Sequence, residues 1–207
     1  MAHIFLTQLK ATLDNCIDEL EQIHFLFSRN PETDFSRKRK LTFKEYIQFM
    51  LQMQGKAVSN EILDFFSHSL SAPSKSAFTQ QRYKLLPEGW DFLFYSFVTQ
   101  CRSLTDNLYC GFRLLACDGS DVNIARNASD ERTFIQEGEK GYNAIHINAL
   151  YDIINKTYCD FHVQGKKKLH GRAALNLMVD RYSDPVPSIL MADRGYESFN
   201  TFAHLHI

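Results

Sequence analysis

The spacing of apolar residues changes near Gly111, and this change divides the chain into two kinds of structure. Before Gly111, apolar residues recur every three or four positions, which is the pattern of an amphipathic helix. The first such stripe consists of Leu6, Leu9, Leu13, Ile17, Leu20, Ile23 and Phe27. After Gly111, short apolar runs end in polar or turn residues, as buried strands do. The sequence therefore predicts a helical region over 1–108 and an α/β domain over 109–207.

Local signals place the elements of the helical region. Thr42, with Glu45 three residues later, has the spacing of a capping box that opens a helix. Further helices are predicted over residues 60–70, 76–85 and 87–105. The second of these follows the four-residue turn Ser71–Ser74, which is the layout of a helix-turn-helix, although two packed helices joined by a proline turn are common.

The charge of the chain is unevenly distributed. The net charge of -1 combines a net of -4 over residues 1–35, +6 over residues 36–84 and -3 over residues 85–207. A local excess of Lys and Arg is what a surface that binds a polyanion needs. A solvated helical face explains the same excess equally well.

The α/β half is predicted to contain four strands and two helices. The strands lie at 112–117, 142–153, 157–163 and 188–192, and the second and third form a hairpin around residues 154–156. One helix spans residues 172–182, and the other begins near Ser198. Residues 121–140 are predicted to be a loop.

Two of these strands end in an aspartate, Asp118 and Asp193. The carboxyl ends of parallel strands face the ligand crevice of an open sheet, so neighbouring strands would bring the two carboxylates together. Such a pair can hold Mg²⁺ and support phosphoryl transfer by two metal ions. A single Asp before a Gly is more often a turn residue, and only the pair favours a metal site.

Several classes of protein are excluded. The 207 residues, of which 44% are apolar, can bury a core, and no apolar run has the length of a membrane span or the form of a signal peptide. The five cysteines have no C-x-x-C pair, no Cys/His set has zinc spacing, and no ATP- or NAD-binding motif occurs. We therefore expect a soluble cytoplasmic protein, with no membrane and no nucleotide cofactor.

Two stretches resemble the first two acidic motifs of the IS4-like insertion-sequence transposases. These are Leu115–Ser120 and Ile189–Phe199. The basic stretch Arg37–Leu41 and the run Ser74–Arg82 resemble the helical N-terminal part of the same family. The resemblance covers nearly the whole chain, and the motif around Asp193 is the more specific of the two.

The resemblance implies a fold and a catalytic set. The fold is an RNase H-like mixed sheet with flanking helices, preceded by an all-helical N-terminal region. Asp118 and Asp193 are the first and second carboxylates of a DDE triad that binds Mg²⁺ or Mn²⁺. Asp121 is the competing candidate for the first position, but Asp118 directly ends the apolar strand, whereas Asp121 is predicted to lie in the loop.

The expected partner is double-stranded DNA, both transposon ends and target, for a nucleoid-associated protein that could form a homo-oligomer. The three successive lysines, Lys166–Lys168, fit a contact with the DNA backbone and a solvated turn equally well. Arg194 and Tyr196 could either contact phosphate or cap the next helix. The residues predicted to contact DNA are Arg37, Lys38, Arg39, Lys40, Lys75, Gln81, Arg82, Lys84, Lys166, Lys167, Lys168 and Arg194.

The sequence departs from the family at the third carboxylate. In the family this residue is a Glu on a later helix, within a Tyr, Arg, Glu, Lys pattern, whereas only 14 residues follow Asp193 here. Glu197 lies too close to Asp193 to take its place. We therefore expect a domain incomplete at its C-terminus, with little transposition by this polypeptide alone.

Three functions follow from these observations. The first is a DNA transposase that cleaves and transfers strands at transposon ends. The second is a catalytically inactive DNA-binding remnant that occupies transposon ends or inhibits a full-length transposase. The third, an unrelated nuclease with two strand-end aspartates, leaves the N-terminal resemblance unexplained.

Overall fold

The computed structural model describes residues 2–37, 40–104 and 106–205. The chain forms two compact units, residues 1–104 and residues 105–207, here named the helical unit and the sheet unit. Lys38 and Arg39, which are predicted to contact DNA, lie outside the described residues.

The helical unit contains five α-helices among its described residues. The first helix ends earlier than its apolar stripe predicts, and a 3-10 turn, His24–Phe27, covers the end of that stripe. The connection between the third and fourth helices spans residues 66–74, longer than the predicted four-residue turn. The helices are α1 (Ala2–Gln22), α2 (Phe43–Gln52), α3 (Val58–Phe65), α4 (Lys75–Arg82) and α5 (Pro87–Arg102).

The capping box predicted at the start of α2 is confirmed. The Thr42 hydroxyl accepts a hydrogen bond from the Glu45 amide at 3.2 Å, and the Glu45 carboxylate accepts one from the Thr42 amide at 2.8 Å. The helix then buries Tyr46 and Phe49 in the core of the unit. The ring of Phe49 meets that of Phe78 on α4 edge to face at 4.9 Å, so aromatic packing joins α2 to α4.

The sheet unit is built on a five-stranded mixed sheet with the path β2-β3-β1-β5, and β4 also pairs with β3. Strands β1 and β3 and strands β3 and β4 are antiparallel, and β1 and β5 are parallel. This confirms the predicted α/β class, with helices before the sheet, and agrees with an RNase H-like fold. The elements are β1 (Arg113–Ile124), β2 (Phe134–Ile135), β3 (Tyr142–Asp152), β4 (Thr157–Gly165), α6 (Gly171–Arg181), β5 (Ser188–Ala192) and α7 (Phe199–Leu205).

The predicted loop over residues 121–140 is wrong at its start and in its middle. Strand β1 continues past Asp118 to Ile124, where it pairs with Asn143 of β3. The prediction failed because the continuous apolar run ends at Cys117, and the exposed residues 120–124 mix polar and apolar side chains although their backbone pairs with β3. Strand β2 lies within the same predicted loop and pairs with the start of β3.

A buried arginine joins three segments of the sheet unit. Arg113 opens β1 with 4% of its side chain exposed, and its Nη1 lies 3.0 Å from Asp152 Oδ2, at the end of β3. Its Nη2 lies 2.7 Å from Asp106 Oδ1, and its Nε lies 2.8 Å from Asp184 Oδ2, shortly before β5. Burial raises the pKa of Asp152, but hydrogen bonds from Asn155 and Arg113 outweigh burial and hold this pKa below its ordinary value.

Replacing Arg113 with Met is expected to destabilise the sheet unit by about 3–5 kcal/mol, because it leaves buried carboxylates without their counter-charge. Urea unfolding followed by circular dichroism measures this loss. The matched control is Arg132→Met, an exposed arginine, with an expected change within about 0.5 kcal/mol. Equal stability of the two variants would contradict the role given to Arg113.

Candidate active site

The parallel pairing of β1 and β5 brings Asp118 and Asp193 close together at the carboxyl end of β5. The last pair in this register is Cys117 opposite Ala192. Asp118 is the next residue within β1, and Asp193 is the first residue after β5. Both carboxylates act electrostatically on the same two neighbours, because each raises the pKa of Cys117 and of Tyr196. The sequence-based expectation that strand pairing juxtaposes these two residues agrees with this register.

Each aspartate uses one carboxylate oxygen to accept a hydrogen bond from a nearby backbone amide, Asp118 within β1 and Asp193 at the turn after β5. Asp118 Oδ1 accepts a hydrogen bond from the Gly119 amide at 2.7 Å, and Asp193 Oδ1 accepts one from the Gly195 amide at 2.7 Å. Both residues are exposed, and within the described part of the chain neither carboxylate has another hydrogen-bond partner. Each therefore presents a second oxygen to solvent.

A buried polar chain lies beside the two aspartates. The Tyr196 hydroxyl donates a hydrogen bond to Asn148 Oδ1 at 3.0 Å, and Tyr196 also hydrogen-bonds the Cys117 thiol. Burial raises the pKa of Cys117 to about 11, and burial together with Cys117 raises that of Tyr196. Both groups are therefore neutral near pH 7, and Tyr196 is a buried structural residue.

Asp121 is held by two partners on other segments. Its Oδ1 lies 2.7 Å from Nδ1 of His146 on β3, and its Oδ2 forms an ion pair with Lys166 in the 3-10 turn after β4. Hydrogen bonds from Lys166 and His146 hold the pKa of Asp121 below its ordinary value. This engagement of Asp121, set against the open carboxylate of Asp118, favours Asp118 as the metal ligand.

A cavity of about 400 Å³ opens beside Asp193. Its lining includes His146, His170, Arg172 and Tyr196. Arg172 Nε donates a hydrogen bond to the Gly195 carbonyl at 2.9 Å, which ties the start of α6 to the turn after Asp193. A negatively charged substrate group would meet an arginine and two imidazoles here. Sequence reasoning did not single out His146 and took His170 for a solvent-facing or core histidine, because neither belongs to a recognisable ligand spacing.

Two carboxylates with open oxygens suit Mg²⁺, which takes a few carboxylate ligands and completes its shell with water and substrate phosphate. No group of three or more His, Cys, Asp or Glu side chains within residues 2–37, 40–104 and 106–205 is arranged to hold a metal ion.

The predicted DNA contacts in the helical unit differ in accessibility. Arg37 and Lys40 are exposed, and so are Lys75 and Arg82 on α4. Gln81 is buried at 4% exposure, which does not favour a base contact. Lys84 is half-buried, 3.7 Å from Asp34 and over the ring of Phe35, so its charge is engaged within the unit.

The predicted contacts in the sheet unit also differ. Lys166 is paired with Asp121, whereas Lys167 and Arg194 are exposed. Lys168 belongs to the same 3-10 turn as Lys167, and its side chain lies outside the described set.

Residues 110–206 match the family model of the transposase DDE domain. This segment is just under half of the chain, and it contains Asp118 and Asp193 with the strands that carry them. The match supports a DDE transposase domain in the sheet unit. Neither the curated proteins nor the solved structures include a match to the chain.

Membrane insertion through a helix finds no support in the structure. Within the described ranges, none of the helices combines the length and the apolar character that crossing a bilayer requires.

Gly119 is expected to tolerate no larger side chain. A Cβ at this position would lie 2.3 Å from His146 Nε2, so Gly119→Ala displaces the imidazole from Asp121 at a cost of about 1–3 kcal/mol. Thermal unfolding of this variant measures the cost. Gly171→Ala is the matched control, because its Cβ would meet only an ordinary contact at 3.4 Å, and a larger loss there would contradict the steric argument.

Proposed function

We propose that this chain is a DDE transposase of the IS4-like insertion-sequence type, which cleaves and joins DNA at transposon ends. The observation that carries the proposal is the position of Asp118 and Asp193, directly after the last paired residues of parallel strands β1 and β5. The match of residues 110–206 to the transposase DDE domain supports it.

In this proposal Asp118 and Asp193 hold a divalent cation, Mg²⁺ or Mn²⁺, through their open oxygens. When bound, such an ion activates an attacking hydroxyl and stabilises charge on the phosphate. The amides of Gly119 and Gly195 fix the orientation of the two carboxylates. Arg172, held by the Gly195 carbonyl, lies where its charge would attract a DNA phosphate.

Asp118→Asn and Asp193→Asn are expected to abolish Mg²⁺-dependent nicking of DNA that carries transposon ends, because an amide is a far weaker ligand for a hard cation than a carboxylate. DNA affinity is expected to stay within about threefold, since neither residue supplies positive charge. Gel assays of nicking and of binding, run on the same preparations, measure the two effects.

Glu197→Gln is the matched control for these variants. Glu197 is an exposed acid four residues after Asp193, and it is expected to be dispensable. Nicking by both Asp variants at the rate of the parent would show that the metal site lies elsewhere. Loss of nicking in Glu197→Gln alone would reassign the second ligand.

We further propose that the helical unit contacts DNA through the exposed face of α4. This helix lies in the basic segment over residues 36–84, and its Lys75 and Arg82 are exposed, as are Thr79 and Gln80. Because Gln81 is buried, Gln80 is the amide available for a base edge. Lys75 and Arg82 would contact phosphates and set the register of the helix on the duplex.

The double variant Lys75→Ala, Arg82→Ala is expected to weaken DNA binding. The slope of log affinity against log salt becomes less steep by about 2, because each phosphate contact that is lost removes about 0.9 from its magnitude. Fluorescence anisotropy over a series of salt concentrations measures the slope. Lys10→Ala, an exposed lysine on α1, is the control with an expected unchanged slope. An unchanged slope in the double variant would remove α4 from the interface.

A second candidate function is DNA binding without cleavage by this polypeptide. It is favoured by the donor set, which within the described residues offers two open carboxylates and no third metal ligand beside them. Binding of transposon ends without Mg²⁺-dependent nicking by the parent chain would support this candidate over the transposase reaction.

A further inference from the structure

The exposed face of α4 carries three residues that follow one another along one side of the helix. Lys75, Thr79 and Tyr83 are spaced four residues apart, which places neighbours of this series on the same side. Tyr83 is the C-cap residue and keeps helical backbone angles, φ -76° and ψ -10°, so it continues this side. Together with Ser76 and Gln80, the three residues line an open depression of about 520 Å³.

What these three residues offer to a partner is mainly apolar. The Thr79 hydroxyl donates a hydrogen bond to the Lys75 carbonyl at 2.9 Å, so Thr79 presents chiefly its methyl group. Tyr83 is 67% exposed, and its ring has no aromatic or hydrogen-bond partner among the described residues. The stem of Lys75 is aliphatic, with the charge at its tip. We name the Lys75 stem, the Thr79 methyl group and the Tyr83 ring the apolar strip.

The charge around the apolar strip selects a polyanion as its partner. The sequence has no acidic residue over residues 65–87, and residues 36–84 carry a net charge of +6. Lys75 and Arg82 are exposed, and neither forms an ion pair within the described part of the chain. Both charges are therefore available for phosphates, which would hold the apolar strip against the surface between them.

The major groove of DNA offers one apolar group to such a strip. Its base edges present hydrogen-bond donors and acceptors, and the C5 methyl group of thymine is the apolar exception. The groove is about 12 Å wide and admits one helix. A helix whose cations contact the phosphates directs the side chains between them, here the apolar strip and Gln80, toward the base edges.

We infer that the apolar strip of α4 contacts thymine methyl groups in the major groove, and that Tyr83 is a residue that determines specificity for A·T pairs. The inference rests on the proposed function, because it takes α4 to be the helix that contacts DNA. Lys75 and Arg82 hold the helix on any sequence, whereas the ring of Tyr83 discriminates between sequences. The contact leaves the salt dependence unchanged, since an aromatic ring neutralises no phosphate.

Replacing thymine with uracil tests the contact, because it removes the C5 methyl group and leaves base pairing unchanged. The full chain selects duplexes from a randomised library, and each selected duplex is then made with thymine and with uracil. Fluorescence anisotropy at one salt concentration measures both affinities. The parent is expected to bind the uracil duplex about fourfold more weakly for each methyl group contacted, as for one buried methyl-sized group.

Variants of the apolar strip assign this preference to its residues. Tyr83→Ala is expected to bind both duplexes equally weakly with an unchanged salt slope, and Tyr83→Phe is expected to keep the preference. Thr79→Ser removes a methyl group, keeps the hydroxyl, and is expected to reduce the preference. Leu70→Ala is the matched control with an unchanged preference, because Leu70 is fully exposed in the same basic segment but outside the depression.

Several results would overturn the inference. Selected duplexes without thymine, or equal binding of the two duplexes by the parent, would show that no methyl group is contacted. A preference retained in Tyr83→Ala would assign the contact to another residue. An equal loss for both duplexes in Tyr83→Phe would assign the hydroxyl to a phosphate, and tighter binding of single strands would assign the ring to unpaired bases. Failure to bind any duplex would remove the proposed function as well, so the two failures are distinguishable.

Discussion

The buried guanidinium of Arg113 fixes the frame on which the candidate site depends. It binds Asp152 at the end of β3 and Asp184 before β5, while its own amide donates to the Pro187 carbonyl at 2.9 Å. These contacts fix the register of β1 against both neighbours at one end of the sheet. Because strands are stiff and regularly spaced, a register fixed at Arg113 places Asp118, in the middle of β1, beside Asp193, directly after the end of β5.

The two faces of β1 carry acidic residues with different surroundings. Successive side chains of a strand point to opposite faces, so Asp118 and Asp121 lie on different faces although both are acidic and close in sequence. Asp121 forms an ion pair with Lys166 and a hydrogen bond with His146, whereas one oxygen of Asp118 is left open to solvent. The carboxylate that stays open, that of Asp118, therefore lies at the point where the parallel pairing of β1 and β5 ends.

Part of this could be predicted from residues alone. The capping box at Thr42, the β3–β4 hairpin and strand β5 follow from local signals, and the pairing of Asp118 with Asp193 follows from two apolar runs that each end in an acid. The extension of β1 beyond Asp118 was not predicted, because the apolar run ends at Cys117 and the exposed residues after it mix polar and apolar side chains. The burial of Gln81 and the engagement of Lys84 depend on helix packing that no local pattern encodes.

The sequence by itself determined the α-helices, the hairpin strands and β5, where the basic charge lies and which two aspartates follow apolar strand residues, since these depend on local spacing. Only the tertiary structure decided which carboxylate stays open. That choice rests on His146 and Lys166, which lie 25 and 45 residues from Asp121 and reach it through the folding of β3 and β4 onto β1. Contacts of such separation have no signature in a local pattern, because their geometry exists only after the sheet has formed.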